Sequence, residues 1–335
     1  MLSDPSLLAR CLIMLCSGLL LVLPSNKEPE LSDLTGCVAI VTGSNTGVGY
    51  HTCKILAQHG AKVYMAARSE SKAKAAIEKL HAEGLGTNAG EVIWLKLDLA
   101  SPRQTKEAAE YILTREQRLD ILVNNAAVAN EYSQTSDGLS ANMTINHLSP
   151  FLFTNTLLPL MTATSRLPDS DVRIVNVSSV VHSYPKSPRF DTLEAINTSF
   201  KDSPMSLCGY TKLANILYSK QLQQRLDADG VPIIVTSLHP GTFLTDGGHG
   251  VIGAWPMGGL LIFIFGYLFV PVEQSGYNSA FAAASPDVRK RAAEYKGAYI
   301  MPVGQIAEPS ADARNPQLAL DLWATSEKQL AVWGL

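Results

Sequence analysis

The chain has 335 residues, 46% of them hydrophobic and 17% charged, with a formal net charge of −3. That much apolar material suits one domain of roughly 250–300 residues better than two compact ones. The slightly negative balance supplies no broad positive field, which argues against a nucleic-acid partner and for a small-molecule one. The five cysteines, Cys11, Cys16, Cys37, Cys53 and Cys208, have neither metal-site spacing nor the density of a disulfide framework, so the chain is expected to fold in a reducing compartment.

Residues 1–30 differ in kind from the rest. The stretch 11–23 is an unbroken apolar run of 13 residues, preceded by Arg10 and followed by Pro24 and a polar segment. It reads as a retained anchor, with a cleaved signal or a helix packed on the domain as alternatives, since no A-x-A cleavage site is evident. Arg10 and Lys27 lie on opposite sides of the run and leave its orientation open.

From Cys37 onward, short apolar runs alternate with helical patterns. Strands are predicted at 37–42, 62–67, 92–97, 121–124, 173–177 and 233–238, with helices over 48–59, 70–83, 102–117, 139–162 and 206–226. Such alternation specifies βαβ units, a parallel sheet covered on both faces, and a binding edge at the strand C-termini. Residues 183–203 form a Pro- and Ser-rich loop too long for simple connection.

The first strand leads into Thr42-Gly43-Ser44-Asn45-Thr46-Gly47-Val48-Gly49 and then a helix. Glycines there let the backbone turn tightly and approach a pyrophosphate, whose charge meets the free N–H groups of the helix start. After the second strand, Arg68 stands where a carboxylate would grip a ribose 2′-hydroxyl; a guanidinium suits the 2′-phosphate of NADP instead, although a solvated arginine is the plainer reading. Asp98-Leu99, closing the third strand, offers a carboxylate either to an adenine amine or to the next helix, with Ser101 close by.

Thr42 to Gly49, Asn124-Asn125-Ala126-Ala127, Asn146, Val177-Ser178-Ser179 and Pro240-Gly241-x-x-x-Thr245 follow one another in an order that resembles the short-chain dehydrogenase/reductase family over about residues 31–305. The stretches V-Y-M-A-A-R (63–68), N-H-L-x-x-F-L-x-T-N (146–155) and K-L-A-N-I-L (212–217) are similar to the family's branch of retinol dehydrogenases and the WW-domain oxidoreductase. The resemblance implies a single-domain Rossmann-type doubly wound parallel sheet of about seven strands with helices on both faces. It also implies NADP(H)-linked interconversion of an alcohol and a carbonyl, usually on a lipophilic substrate, with NAD as the less favoured coenzyme. By the same resemblance Ser179 would hydrogen-bond the substrate carbonyl and Asn146 would hold a relay water, unless each merely satisfies local backbone. Lys212 would bind the nicotinamide ribose and favour the anion of the acid/base group. Thr245 would touch the carboxamide or pyrophosphate, and Asn124 and Ala126 would frame the adenosine ribose. Ala127 replaces the usual glycine.

The departure lies at the acid/base itself. Counting back four from Lys212, the family's Tyr-x-x-x-Lys pattern lands on Cys208, and the tyrosine present is Tyr210. Positions two apart on a helix differ by about 200°, so Tyr210 should not reach the site that Lys212 serves. A thiol has a suitable reference pKa of about 8.5, yet it ends one bond past Cβ and needs a bridging water. Three outcomes stay open: activity through Cys208 or a locally unwound helix recruiting Tyr210, a silent cofactor-binding protein, or another base such as His182 or Tyr184.

Residues 251–272 form 22 positions without a charge. In this family the corresponding region covers the substrate, so a water-poor pocket for a retinoid, steroid, polyprenol or terpenoid is expected, with an interfacial helix or a membrane span as alternatives. Together with residues 7–23 this implies membrane association, with the endoplasmic reticulum and a cytosol-facing domain as the expected setting. Homodimer formation through the long helices carrying Asn146 and Lys212 is implied by the family alone. The sequons at Asn142, Asn176 and Asn197 carry little weight, Asn176 lying within a predicted buried strand.

Overall fold

The structure, a computed structural model, describes residues 28–135, 137–200, 204–241 and 271–335. The N-terminal apolar run, Thr245 and all of the apolar stretch 251–272 but its last two positions lie outside the described residues. Among the described residues no helix is long and apolar enough to cross a membrane.

Eight strands form one sheet in the order β3-β2-β1-β4-β5-β6-β7-β8. They are β1 (Val38–Thr42), β2 (Lys62–Ala67), β3 (Val92–Lys96), β4 (Ile121–Asn124), β5 (Arg173–Val177), β6 (Ile234–Leu238), β7 (Tyr299–Met301) and β8 (Gln305–Ala307). All neighbours through β7 are parallel, and β8 returns antiparallel. The chain therefore forms the expected doubly wound α/β sheet, with one strand beyond the predicted seven. The last two strands are three residues each, too short for apolar alternation to announce them.

Side-chain parity along the strands divides the interior into two cores. Ile40, Leu122, Ile174 and Val235 point to one face; Ala39, Val41, Val123 and Val175 point to the other. The second core is closed by α1 (Gly47–Gln58), α2 (Glu70–Glu83) and α6 (Tyr277–Ala284); the first by α3 (Pro102–Arg115), α4 (Ser149–Ser165), α5 (Pro204–Ala228) and α7 (Pro316–Trp333). Two of these helices start on caps readable in the sequence: the Ser69 side chain accepts from Lys72 N and the Ser101 side chain from Gln104 N, with Pro102 in the first turn. Helix α5 is wrapped by α7 and the sheet, so every residue from Gly209 to Ser219 is buried.

The helix expected over 139–162 is three pieces. A turn at Ala141–Met143 passes into a π turn at Thr144–Leu148 before α4 begins. Pro150 has no N–H to return to the carbonyl of Asn146, so a regular ladder cannot run through this point. The chain widens instead, and Ser149 N donates five residues back to Thr144 O.

At the N-terminal end of β5 Arg173 is fully buried. It donates to Asp171 and to the carbonyls of Ala282 and Ser285, while Arg289 shares the same carboxylate. Burial works to raise the Asp171 carboxyl, but hydrogen bonds and charge from both arginines outweigh it and hold the pKa below the usual value. Its folded pKa being depressed, this pairing stabilises the chain above the unfolded value of about 4 and is lost as pH falls through the folded one. Asp171→Asn should cost about 2–3 kcal/mol by urea denaturation at pH 7, less than a fully buried pair because the carboxylate is one-third exposed, and the difference should shrink towards pH 3.

Candidate active site

Among the described residues, the glycine turn, Arg68, Asp98, Asn125, Ser179 and Gly241 all follow the C-terminal ends of strands. The strand order reverses between β1 and β4, opening a crevice there. A cleft of about 440 Å³ occupies it, lined by Gly43, Asn45, Thr46 and Val48 of the glycine turn, by Arg68, by Asp98 and Leu99, and by Asn125 to Val128.

The glycine turn is built for close approach. Gly43 (φ +62°) lies against Ala126, where an added Cβ would come within 2.8 Å of the alanine Cα. At Gly49 an added Cβ would meet Asn125 Nδ2 at 2.5 Å and Gly43 O at 2.6 Å. Gly47 (φ +57°) faces open space, so its left-handed backbone is what demands glycine there. Thr46 stands in extended conformation before α1 without a side-chain cap, leaving the first N–H groups of the helix free for an anion. Ser44 is buried and donates to Val41 O at 2.7 Å, a brace beneath the turn rather than part of the lining.

Asn125, not Asn124, completes this cradle. Asn125 Nδ2 donates to Thr42 O at 2.8 Å, and Thr42 Oγ1 accepts from the backbone N of both Asn125 and Ala126 at 3.0 Å. Asn124, expected to frame a ribose, instead turns inward and donates to Thr154 Oγ1 and Asn176 Oδ1. Its parity with Leu122 on β4 sends it to the α4–α5 face. Asp98 accepts from Ala100 N at 3.0 Å, a local turn, and leaves the capping of α3 to Ser101. Arg68 is exposed at the cleft mouth and forms no ion pair among the described residues.

Cleft and residues thus fit a dinucleotide, with the glycine turn and helix start placed for its diphosphate. Pro240 and Gly241 end β6 on the same edge, Gly241 with φ +115°.

Catalytic candidates gather at the ends of β5 and α5. Lys212 is buried and donates from Nζ to Val177 O at 2.9 Å; burial pulls its pKa down to about 8, against a small opposing pull from Cys208. Ser178 is tied to α5 through a 2.7 Å bond to Lys212 O. Ser179 is half-exposed, and its hydroxyl accepts only a long 3.5 Å contact from Val181 N, so its proton is free to donate. Cys208 is half-buried; burial pushes its thiol up and Lys212 pulls it part of the way back.

Three of the candidate residues have their polar groups engaged elsewhere. Tyr210 is fully buried, donates to Arg189 O and Ala195 O, and stacks on Phe190 at 4.5 Å, so it holds the 183–203 loop and does not join Lys212. Tyr210 and Lys212 thus face different partners, as positions two apart on a helix do. Asn146 spends its amide on the backbone of Val128 (2.8 Å each way) and on Thr211 Oγ1 (2.9 Å), bracing the site where a water-holding role was expected. His182 uses both ring nitrogens, Nδ1 towards Ser179 O and Nε2 towards Ser310 N, and is no free base. Tyr184 is at the surface. Of the sequon amides, the buried Asn142 donates to Asn130 O and the buried Asn176 to Ser219 Oγ, while Asn197 donates to Gly138 O nearer the surface.

Residues 37–188 match the sequence profile of the family described as short chain dehydrogenase. A short-chain dehydrogenase/reductase of Armillaria gallica is 48% identical over 307 residues, covering 90% of this chain and 95% of the relative. Retinol dehydrogenase 11 of Mus musculus is 34% identical over 295 residues, covering 88% and 86%. Among solved structures, an uncharacterized protein of Mycobacterium paratuberculosis superposes with a TM-score of 0.67 at 28% identity, covering 89% of this chain and 95% of that one. With the cleft, the serine and the lysine at one sheet edge and relatives matched over most of their length, the chain belongs to the short-chain dehydrogenase/reductase family of oxidoreductases.

Proposed function

We propose that this protein binds NADP(H) in the β1–β4 cleft and interconverts an alcohol and a carbonyl on a lipophilic substrate. Arg68 carries the choice of coenzyme: an unpaired guanidinium at the cleft mouth, following the second strand, is complementary to a 2′-phosphate and to little else there. A bound nicotinamide supplies or takes the hydride. The chain contributes the Ser179 hydroxyl as a donor to the substrate oxygen and the Lys212 ammonium as a fixed positive charge beside the proton-transfer position. Val180, Tyr184 and Met205 are exposed apolar side chains close in sequence to Ser179 and Cys208, which supports an apolar substrate. The charge-free stretch 251–272 and the apolar run 11–23 favour a membrane as the source of that substrate.

A second reading, a cofactor-binding protein with little turnover, is favoured by one observation: the position four before Lys212 holds a thiol whose pKa is raised by burial. Both readings require the coenzyme. Arg68→Ala should weaken NADPH binding by about 10- to 100-fold, the worth of a charge-assisted hydrogen bond, while NADH binding stays unchanged. Equal affinity of the unaltered protein for both coenzymes in a fluorescence titration would remove the basis for NADP(H).

A further inference from the structure

His182 lies three residues beyond Ser179, in the short turn Val180–Ser183 that Ser179 itself caps. It is 5% exposed, and its ring packs edge-on against Tyr299 of β7 at 5.0 Å. Nδ1 is 2.7 Å from Ser179 O, and Nε2 is 3.0 Å from Ser310 N. A carbonyl only accepts and a backbone N–H only donates, so Nδ1 carries the proton and Nε2 the lone pair. Only the neutral ring in that one tautomer satisfies both partners, and burial correspondingly keeps the imidazole pKa below its ordinary value.

Ser310 is in turn the brace of the next turn, its Oγ accepting from Ala313 N ahead of Asp312–Arg314 and α7. The imidazole is thus a bolt between the loop bearing Ser179 and the segment leading to the C-terminal helix, 128 residues further along the chain. The carbonyl it holds belongs to Ser179, and a peptide plane held there, with β5 fixing the chain on the other side, narrows the directions in which Cα–Cβ can point.

We infer that His182 is a positioning residue for Ser179, acting by clamping its peptide group against the C-terminal segment. The inference rests on the functional reading for the role of Ser179, but the clamp itself does not. His182→Phe keeps the ring and its packing on Tyr299 while deleting both bonds. His182→Asn retains a short amide donor in place of Nδ1 but reaches no further, so it restores the Ser179 bond and not the Ser310 bond. Hydrogen exchange in the full chain is expected to rise about tenfold or more at residues 180–184 and 310–314 in the Phe variant, with β1 and α1 unchanged. With substrate, kcat should fall by up to ~100-fold, the cost of a displaced catalytic group, at unchanged NADPH affinity, and His182→Asn, which restores the Ser179 bond but not the bridge to Ser310, should recover only a small part of it. Wild-type exchange in the Phe variant would overturn the clamp. Raised exchange with undiminished kcat, in a protein where Ser179→Ala is inactive, would overturn the positioning role. A Ser179→Ala protein as active as wild type would instead defeat the functional reading, with the exchange result still deciding the clamp.

Discussion

Replacing Cys208 with tyrosine is expected to raise kcat for an alcohol or carbonyl substrate by about 10²- to 10⁴-fold, the usual contribution of a positioned acid/base, without altering NADPH affinity. Positions 208 and 212 are four apart on α5 and share a face, and the rest of the site is in place: Lys212 fixed on Val177 O, Ser179 two residues further along, its hydroxyl free to donate. What the site lacks is reach and acidity. A thiol ends one bond past Cβ, and burial raises its pKa, so at neutral pH it keeps its proton and accepts none. A phenol at the same place extends by a ring, and the neighbouring ammonium favours its anion.

The same substitution separates the readings. Steady-state rates of wild type and C208Y, measured beside coenzyme affinity, give three distinct patterns. A gain confined to kcat means a catalytic site deprived of its acid. High and equal rates mean that another group moves the proton. Two silent proteins with intact NADPH binding identify a binding protein. Where the gain appears, the rate should bend downward above pH 8, because Lys212, lowered to about 8 by burial, then loses the charge that supports the phenolate.

The parts of this architecture legible in the sequence are those fixed by apolar runs and by caps. Strands β2, β4 and β5 and helix α2 lie where the pattern puts them, since short apolar-rich runs bounded by polar residues, and a helix started by a serine cap, leave few alternative packings. The angular separation on α5 correctly set Tyr210 apart from Lys212, because helical geometry is rigid enough to argue from. Harder to see was which of two adjacent asparagines faces the cleft. A shift of one residue flips a strand's side chain, so Asn124 and Asn125 could only be separated by carrying parity outward from Leu122, a signal that was present. The roles of Asn146 and His182 depend on partners far away in sequence, Thr211 and Ser310, and nothing local announces those.

Gly49→Val should weaken dinucleotide binding by up to ~150-fold, and the reasons differ from those at the neighbouring glycines. Gly49 is helical, so no left-handed backbone is at stake; the obstacle is that an added Cβ at 2.5–2.8 Å from Asn125 Nδ2, Gly43 O and Ser44 Cα meets two backbone atoms and a bonded amide. None can yield cheaply. Moving Asn125 breaks its 2.8 Å bond to Thr42 O, and moving Gly43 pulls the turn out of the cleft. Strain of about 3 kcal/mol, typical of overpacking, appears either as lost stability or as a displaced turn, and in the second form converts to a loss of affinity of ~150-fold. Gly47→Asn is the contrasting control, since asparagine tolerates the left-handed region and the space beyond Gly47 is open. Thermal melts with and without NADPH distinguish the two. Gly47→Asn should keep a ligand-dependent rise in Tm and Gly49→Val should lose most of it, whereas an equal rise in both would mean that the turn does not need its close contact with Asn125 to hold the coenzyme.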